Sequence, residues 1–175
     1  MKRKAQYDDF HEAIITGTMQ LLAQKSLSNL PVTEICKRAG VSRQAFYRHF
    51  DHKNQVVLEY FEPIYGEFLG SLAHSSDLTT EKVAEKLVDF FENQAEEIRK
   101  ATKSDYYLLI FQIFSEKLAE FYNTTTTWTD YVDMKRDFWN DFMSAGIFYV
   151  LGNWAKNGCV EPKEAVVKMI IEFHQ

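Results

Sequence analysis

The chain has 175 residues, of which 46% are hydrophobic and 15% aromatic, so it can bury a substantial interior and lacks the composition of a disordered segment. No run approaches the ~18 to 20 uninterrupted apolar residues of a membrane span, and the opening MKRKAQYDDFHEA puts acids and a histidine where a secretion signal needs its apolar stretch. A cytoplasmic protein with no membrane partner is expected. Cys36 and Cys159 stand alone, with no CxxC and no His/Cys cluster, which suggests neither a disulfide framework nor a zinc site; no metal and no cofactor are expected.

The formal net charge of -5 taken alone argues against a nucleic-acid partner, but its distribution does not. Residues 1–53 hold nine Lys/Arg against five acids, while the remaining 122 residues hold eleven against twenty. A basic head on an acidic body suits a chain in which only the head meets a polyanion, because phosphate contact needs positive charge locally. Chance segregation of solvated charges would look the same, so the asymmetry needs a motif behind it.

The apolar periodicity is helical almost throughout, with only seven glycines and three prolines to interrupt it, and predicts an all-α fold. The first helix is predicted from Asp8 to Lys25, its two leading aspartates favouring the positive end of the dipole. The SerLeuSerAsnLeuPro stretch at 26–31 breaks it. A short helix follows from Val32 to Ala39 and ends at Gly40, and a second starts after Ser42, a good N-cap. A longer amphipathic helix runs from Lys53 to about His74, and Thr79 or Thr80 caps the next, predicted over 81–100. The stretch 105–122 is apolar nearly all round and reads as a buried helix, and Asn123–Thr127 reads as an interruption. A long helix is predicted from Tyr131 to Lys156, stopped by Asn157-Gly158, and Pro162 opens the last one, to Phe173. The expected division is a head over 1–53 and a helical body over 54–175.

The segment VTEICKRAG at 32–40 followed by VSRQAFYRHF at 41–50 carries the chemistry. A helix-turn-helix needs a small residue where its helices cross, a residue that tolerates positive φ in the turn, and apolar inner faces. Cys36 or Ala39 supplies the first, Gly40 the second, and Ile35, Val41, Phe46 and Phe50 the third. The second helix then exposes Arg43, Gln44, Tyr47, Arg48 and His49, all able to donate hydrogen bonds to bases or phosphates. A helical hairpin within a core would explain Gly40 equally well, but not a short outer face with no acid on it.

This stretch, GVSRQAFYRHF with Lys53 three residues on, resembles the DNA-binding signature of the tetracycline-repressor family of bacterial regulators, over about residues 8–60. The resemblance implies an all-helical homodimer with a three-helix DNA-binding head and a C-terminal domain that binds a small effector and dimerises through its last two long helices. It places Tyr47, His49 and Lys53 at positions that usually hold phosphates, and Arg43, Gln44 and Arg48 where the recognition helix faces the groove. His49 also reads as a partly buried packing residue, and both roles stand. Thr33, near the start of the first motif helix, is a further phosphate candidate. Pro31 departs from the family, which commonly has a threonine or serine cap there.

Symmetric operators are read by dimers, so two heads must be held together. The apolar stretches 137–154 and 164–173 are the expected dimer surface, with Phe148, Leu151, Val166 and Ile170 as its residues; a role in the chain's own core is the competing reading. Among the many aromatics of the body, Tyr65, Phe68, Tyr107, Phe111 and Phe142, with Gln112, are candidates for a pocket holding a small apolar or aromatic effector. The sequence has no GxSxG, HExxH, phosphate loop or dinucleotide fingerprint, and no catalytic residue is expected. The expected function is a dimeric repressor released from a palindromic double-stranded operator by its effector. The alternative is an activator, or a co-regulator working through a protein partner, on the same fold.

Overall fold

The computed structural model describes residues 2–75, 77–125 and 133–173, which form nine helices and no strand. In chain order these are α1 (Lys2–Leu22), α2 (Val32–Ala39), α3 (Arg43–His49), α4 (Lys53–Ala73), α5 (Thr80–Asn93), α6 (Ala95–Lys103), α7 (Tyr107–Thr125), α8 (Asp133–Lys156) and α9 (Lys163–Phe173). No helix among the described residues is long and apolar enough to cross a membrane.

The chain divides into two compact units, one of residues 1–63 with 100–110, the other of 64–99 with 111–175. The unit containing the head therefore also takes in the first half of α4 and the α6–α7 corner. Its core is built from Ile14, Leu22, Leu27, Leu30, Ile35, Phe46, Phe50, Val56, Val57 and Phe61, each 4% exposed or less. The centre of the second unit is aromatic. Phe148 of α8 meets Phe91, Phe111 and Phe114 with ring centroids 5.7, 5.2 and 5.4 Å apart. Tyr65 of α4 meets Phe90 and Phe114 edge-on. These separations are those at which edge-to-face and tilted pairs add to simple area burial.

Where the sequence predicts one helix over 81–100, there are two. Gln94 (φ -90, ψ 5) leaves helical geometry and its N–H is shared between the carbonyls of Glu92 and Phe90. The apolar pattern does not announce this break, because Phe91, Ala95 and Ile98 keep helical spacing across it and all are buried. Thr79 supplies the cap of α5, accepting from Lys82 N at 3.3 Å. Helix α7 continues through Asn123–Thr125, residues read as an interruption; Thr124 and Thr125 turn their hydroxyls back onto the Phe121 carbonyl at 2.9 and 2.8 Å and so fit the helix. The remainder of that interruption, and the expected start of the next helix at Tyr131, lie outside the described residues. Helix α7 is also less enclosed than predicted, with Leu108 75% exposed and Gln112 outward. The α8–α9 connection forms as expected, with Gly158 at φ 94 after α8 and the Pro162 carbonyl accepting from Ala165 N at 2.9 Å.

Candidate nucleic-acid interface

The turn between α2 and α3 follows from Gly40. It lies at φ 69, ψ 27, the left-handed region that a side chain disfavours, and its N–H and that of Val41 both return to the Cys36 carbonyl, closing α2. Ser42 then caps α3, its hydroxyl accepting from Ala45 N at 3.1 Å. On the inner side Ile35, Phe46 and Phe50 are 0–1% exposed and Val41 is half-buried, as the motif requires.

Helix α2 is anchored to α1 by three further contacts. Lys25 beyond α1 donates to both oxygens of Glu34 at 2.7 and 2.8 Å. Arg38 Nε donates to Gln20 Oε1 at 2.8 Å. At the crossing, a Cβ on Gly17 would lie 3.3 Å from Arg38 Cγ and 3.4 Å from the Ala39 backbone nitrogen, so the helices meet with glycine on one side and alanine on the other. Ala39, offered with Cys36 as the small residue at the crossing of the two motif helices, here faces α1 across Gly17, a residue the motif pattern does not include. Its signal was present, a lone glycine inside a helical pattern.

Of the seven residues expected to meet DNA, five are exposed: Thr33 on α2 and Arg43, Gln44, Tyr47 and Arg48 on α3. The Arg43 guanidinium carbon sits 6.0 Å from the centre of the Tyr47 ring, and that ring packs edge-on against Phe46 with centroids 5.3 Å apart. Helix α3 carries no acid. Thr33 lies at the start of a helix whose cap, Pro31, has an extended backbone and makes no side-chain capping bond, in keeping with its departure from the family pattern.

The other two residues are engaged within the protein. Lys53 Nζ donates to three carbonyls of the turn before α2, those of Leu27, Ser28 and Leu30, at 2.5, 3.2 and 3.0 Å. A lysine in the first turn of a helix opposes the dipole, and here its ammonium reaches the carbonyls of a neighbouring turn. The α6–α7 corner grips the same turn: Ser104 O accepts from Leu27 N at 2.8 Å, Ser104 Oγ donates to the Leu22 carbonyl at 2.8 Å, and Ser28 Oγ donates to Asp105 Oδ2 at 2.8 Å. Asp105 holds a left-handed φ of 61 to make this corner. His49 is half-buried against Tyr7 with ring centroids 3.9 Å apart, and its Nδ1 is buried without a hydrogen-bond partner among the described residues, which fits the packing one of its two readings.

In the second unit the structure corrects the dimer-surface residues. Phe148, Leu151, Val166 and Ile170 are 2, 0, 3 and 1% exposed and belong to the chain's own core. The exposed apolar residues of α8 are on its other side: Met134, Phe138, Phe142 and Tyr149, 68–75% exposed, with Phe173 of α9 at 62%. Between α8 and α9 lies an apolar groove of about 290 Å³ lined by Phe142, Met143, Gly146, Ile147, Ile170 and Phe173, among others.

The six pocket candidates do not converge. Tyr65 is core, Phe68 stacks on Phe90 at 4.0 Å, and Phe111 packs on Phe148. Tyr107 falls in the first unit, Gln112 is exposed and donates to Glu116 Oε1 at 3.3 Å, and Phe142 lies in the α8–α9 groove. A cavity of about 310 Å³ lies elsewhere in the second unit, lined by Leu78, Val83, Phe121, Tyr122, Trp139 and threonines at 79, 80 and 125. Burial pushes the Tyr122 phenol well above its usual range, so it stays a neutral hydrogen-bonding group.

The profile of the family described as bacterial regulatory proteins, tetR family, matches residues 14–60, the stretch that holds α2, α3 and the turn at Gly40. Over this stretch the chain is similar to the DNA-binding segment of tetR-family regulators. It is 35% identical over 57 residues to the HTH-type transcriptional regulator EthR of Mycolicibacterium smegmatis, a match covering 33% of this chain and 26% of that protein. It is 36% identical over 58 residues to an uncharacterised HTH-type transcriptional regulator of Haemophilus influenzae, covering 33% and 28%. These matches span only about a quarter of the curated relatives' lengths. A TetR transcriptional regulator from Streptococcus agalactiae has a similar fold along the whole chain, with a TM-score of 0.68 and 20% identity over 99% of this chain and 97% of that one. The family model thus matches α2, α3 and their flanks, and the likeness along the whole chain is one of fold.

Proposed function

We propose that the protein is a DNA-binding transcriptional regulator, a dimeric repressor that a small effector releases from its operator. The observation that carries the reading is the outer face of α3. Arg43, Gln44, Tyr47 and Arg48 are all exposed there, on a helix free of acids and held by a glycine turn and a serine cap. Arginine and glutamine read guanine and adenine edges in the major groove, and a tyrosine hydroxyl suits a phosphate. In this reading residues 1–53 bind DNA and residues 54–175 bind the effector and the second copy.

The exposed stripe Phe138, Phe142 and Tyr149, with Phe173 beside it, supports a second copy of the chain as the partner, because a monomer seldom exposes a contiguous aromatic stripe of this length. The cavity beside Tyr122 and Trp139 supports an apolar or aromatic effector. Release then works as a population shift, the effector favouring a state of the dimer in which the two heads no longer match their half-sites.

Selection from a random duplex library with the purified protein tests the core of this reading. A palindromic site with half-sites about 10 bp apart is expected. Recovery of no enriched sequence would refute DNA recognition. Mapping the site against the promoter start separates repression from activation.

A further inference from the structure

Helix α3 ends on a histidine cluster that the DNA reading leaves unused. His49 closes the helix, with its ring centroid 3.9 Å from that of Tyr7 and 5.7 Å from that of His11, both on α1. His11 stacks on Phe50 at 4.8 Å, and its Nε2 pairs with Glu59 of α4 at 3.0 Å. The groups facing His49 are thus Tyr7 and His11 on α1, Arg48 and Phe50 beside it, and Glu59 on α4.

The chemistry of this position follows from one atom. Nδ1 of His49 is buried and has no hydrogen-bond partner among the described residues. A neutral imidazole carries its hydrogen on one nitrogen, and with nothing to accept from Nδ1 the favoured form keeps it on Nε2. Protonation would then add a hydrogen at Nδ1, creating a buried N–H with no acceptor. Burial is the largest effect holding His49 below the usual imidazole range, and positive charge on His11 and Arg48 acts the same way. Glu59 opposes them, but its carboxylate is already engaged by His11.

We propose that neutral His49 is a wedge between α1 and the recognition helix, and that acidification loosens the end of α3 and weakens DNA binding. Only the last step of this inference rests on the DNA-binding reading. An unfolded histidine takes its proton at about pH 6.5, whereas the folded one resists it, so below that pH the unfolded state binds more protons. The stabilisation from neutral His49 is complete above about pH 6.5 and is lost as the pH falls from there through the lower folded value.

The test compares the full chain with His49→Phe and His49→Gln at constant ionic strength, from about pH 7.5 to about pH 5.5, using the duplex recovered by library selection. Affinity of the unmodified protein is expected to fall about tenfold, the scale of one unsatisfied buried N–H, and that of both variants much less. Imidazole proton resonances of the DNA-free protein are expected to show His49 titrating below the usual imidazole range. Affinity that rises on acidification only in the unmodified protein would make His49 a phosphate contact and overturn the proposal. An equal fall in all three proteins, or an ordinary titration of His49, would overturn it too. If no duplex binds at about pH 7.5, the DNA reading fails by itself. Melting curves against pH then decide the wedge: acid sensitivity confined to the unmodified protein supports it, and parallel curves for all three overturn it.

Discussion

Replacing Lys53 with methionine separates two roles that a lysine at this position can play. The sequence resemblance assigns it a phosphate, whereas its ammonium donates to the carbonyls of Leu27, Ser28 and Leu30. Methionine keeps most of the aliphatic stem and removes only the cation, so packing is nearly conserved. Hydrogen bonds to a charged group contribute roughly 1.5 to 3 kcal/mol net, but the three bonds share one ammonium and lie partly in solvent, so their sum is far from additive. A loss of about 2 kcal/mol follows. For a chain of this size each kcal/mol moves the melting temperature by about 2 to 4 °C, giving a drop of about 4 to 8 °C without any DNA present. The second measurement is the dependence of DNA affinity on salt. A lost phosphate contact lowers the slope of log K against log salt by about 0.9, whereas a lost clamp weakens binding without changing the slope. An unchanged melting temperature with a reduced slope would refute the clamp and restore the phosphate contact.

Three further outcomes are expected. Gly40→Ala introduces a Cβ that meets nothing within 4 Å, so its cost is the left-handed φ alone, about 1 to 2 kcal/mol in denaturant unfolding, and Gly40→Asn should cost less. Equal stability of Gly40→Ala and the unmodified protein would contradict the turn geometry. Phe142→Lys combined with Tyr149→Lys should leave the helical circular dichroism intact while light scattering reports monomers, whereas Phe148→Ala should cost about 3 to 5 kcal/mol of protomer stability, because Phe148 is core and the other two are 75% and 68% exposed. Arg43→Ala and Gln44→Ala should relax preference at individual bases by about 1 to 3 kcal/mol, and Tyr47→Phe should weaken all duplexes alike; the same selected site logo from every variant would count against α3 as the reading element.

Legibility tracked the range of the interactions. The helix ends around the motif could be read because their causes lie within four residues: Gly40 takes a conformation that other residues resist, and Ser42 reaches the N–H of Ala45. The exposed face of α3 could be read because a seven-residue helix with Ala45 and Phe46 inward has only one other side to present. Gly17 was legible in principle, as a glycine inside a helix, yet what it meets on α2 is 21 or 22 positions away. The break at Gln94 left no local mark, since the apolar spacing runs on through it.

Sequence by itself determined the all-helical class, the helix-turn-helix and the set of donors on its outer face, because periodicity, left-handed backbone and capping act over a few residues. Tertiary structure alone decided which apolar side chains face inward. A helix as apolar as α8 has hydrophobic residues on both sides, and only its neighbours determine that Phe148 packs on Phe91 and Phe114 while Phe142 stays exposed. The same holds for Lys53 and His49. A lysine can donate to a phosphate or a carbonyl, and a histidine can bind or pack; what each meets within the chain, the Leu27–Leu30 turn for Lys53 and Tyr7 for His49, lies 23 or more residues away and is brought close only by the fold.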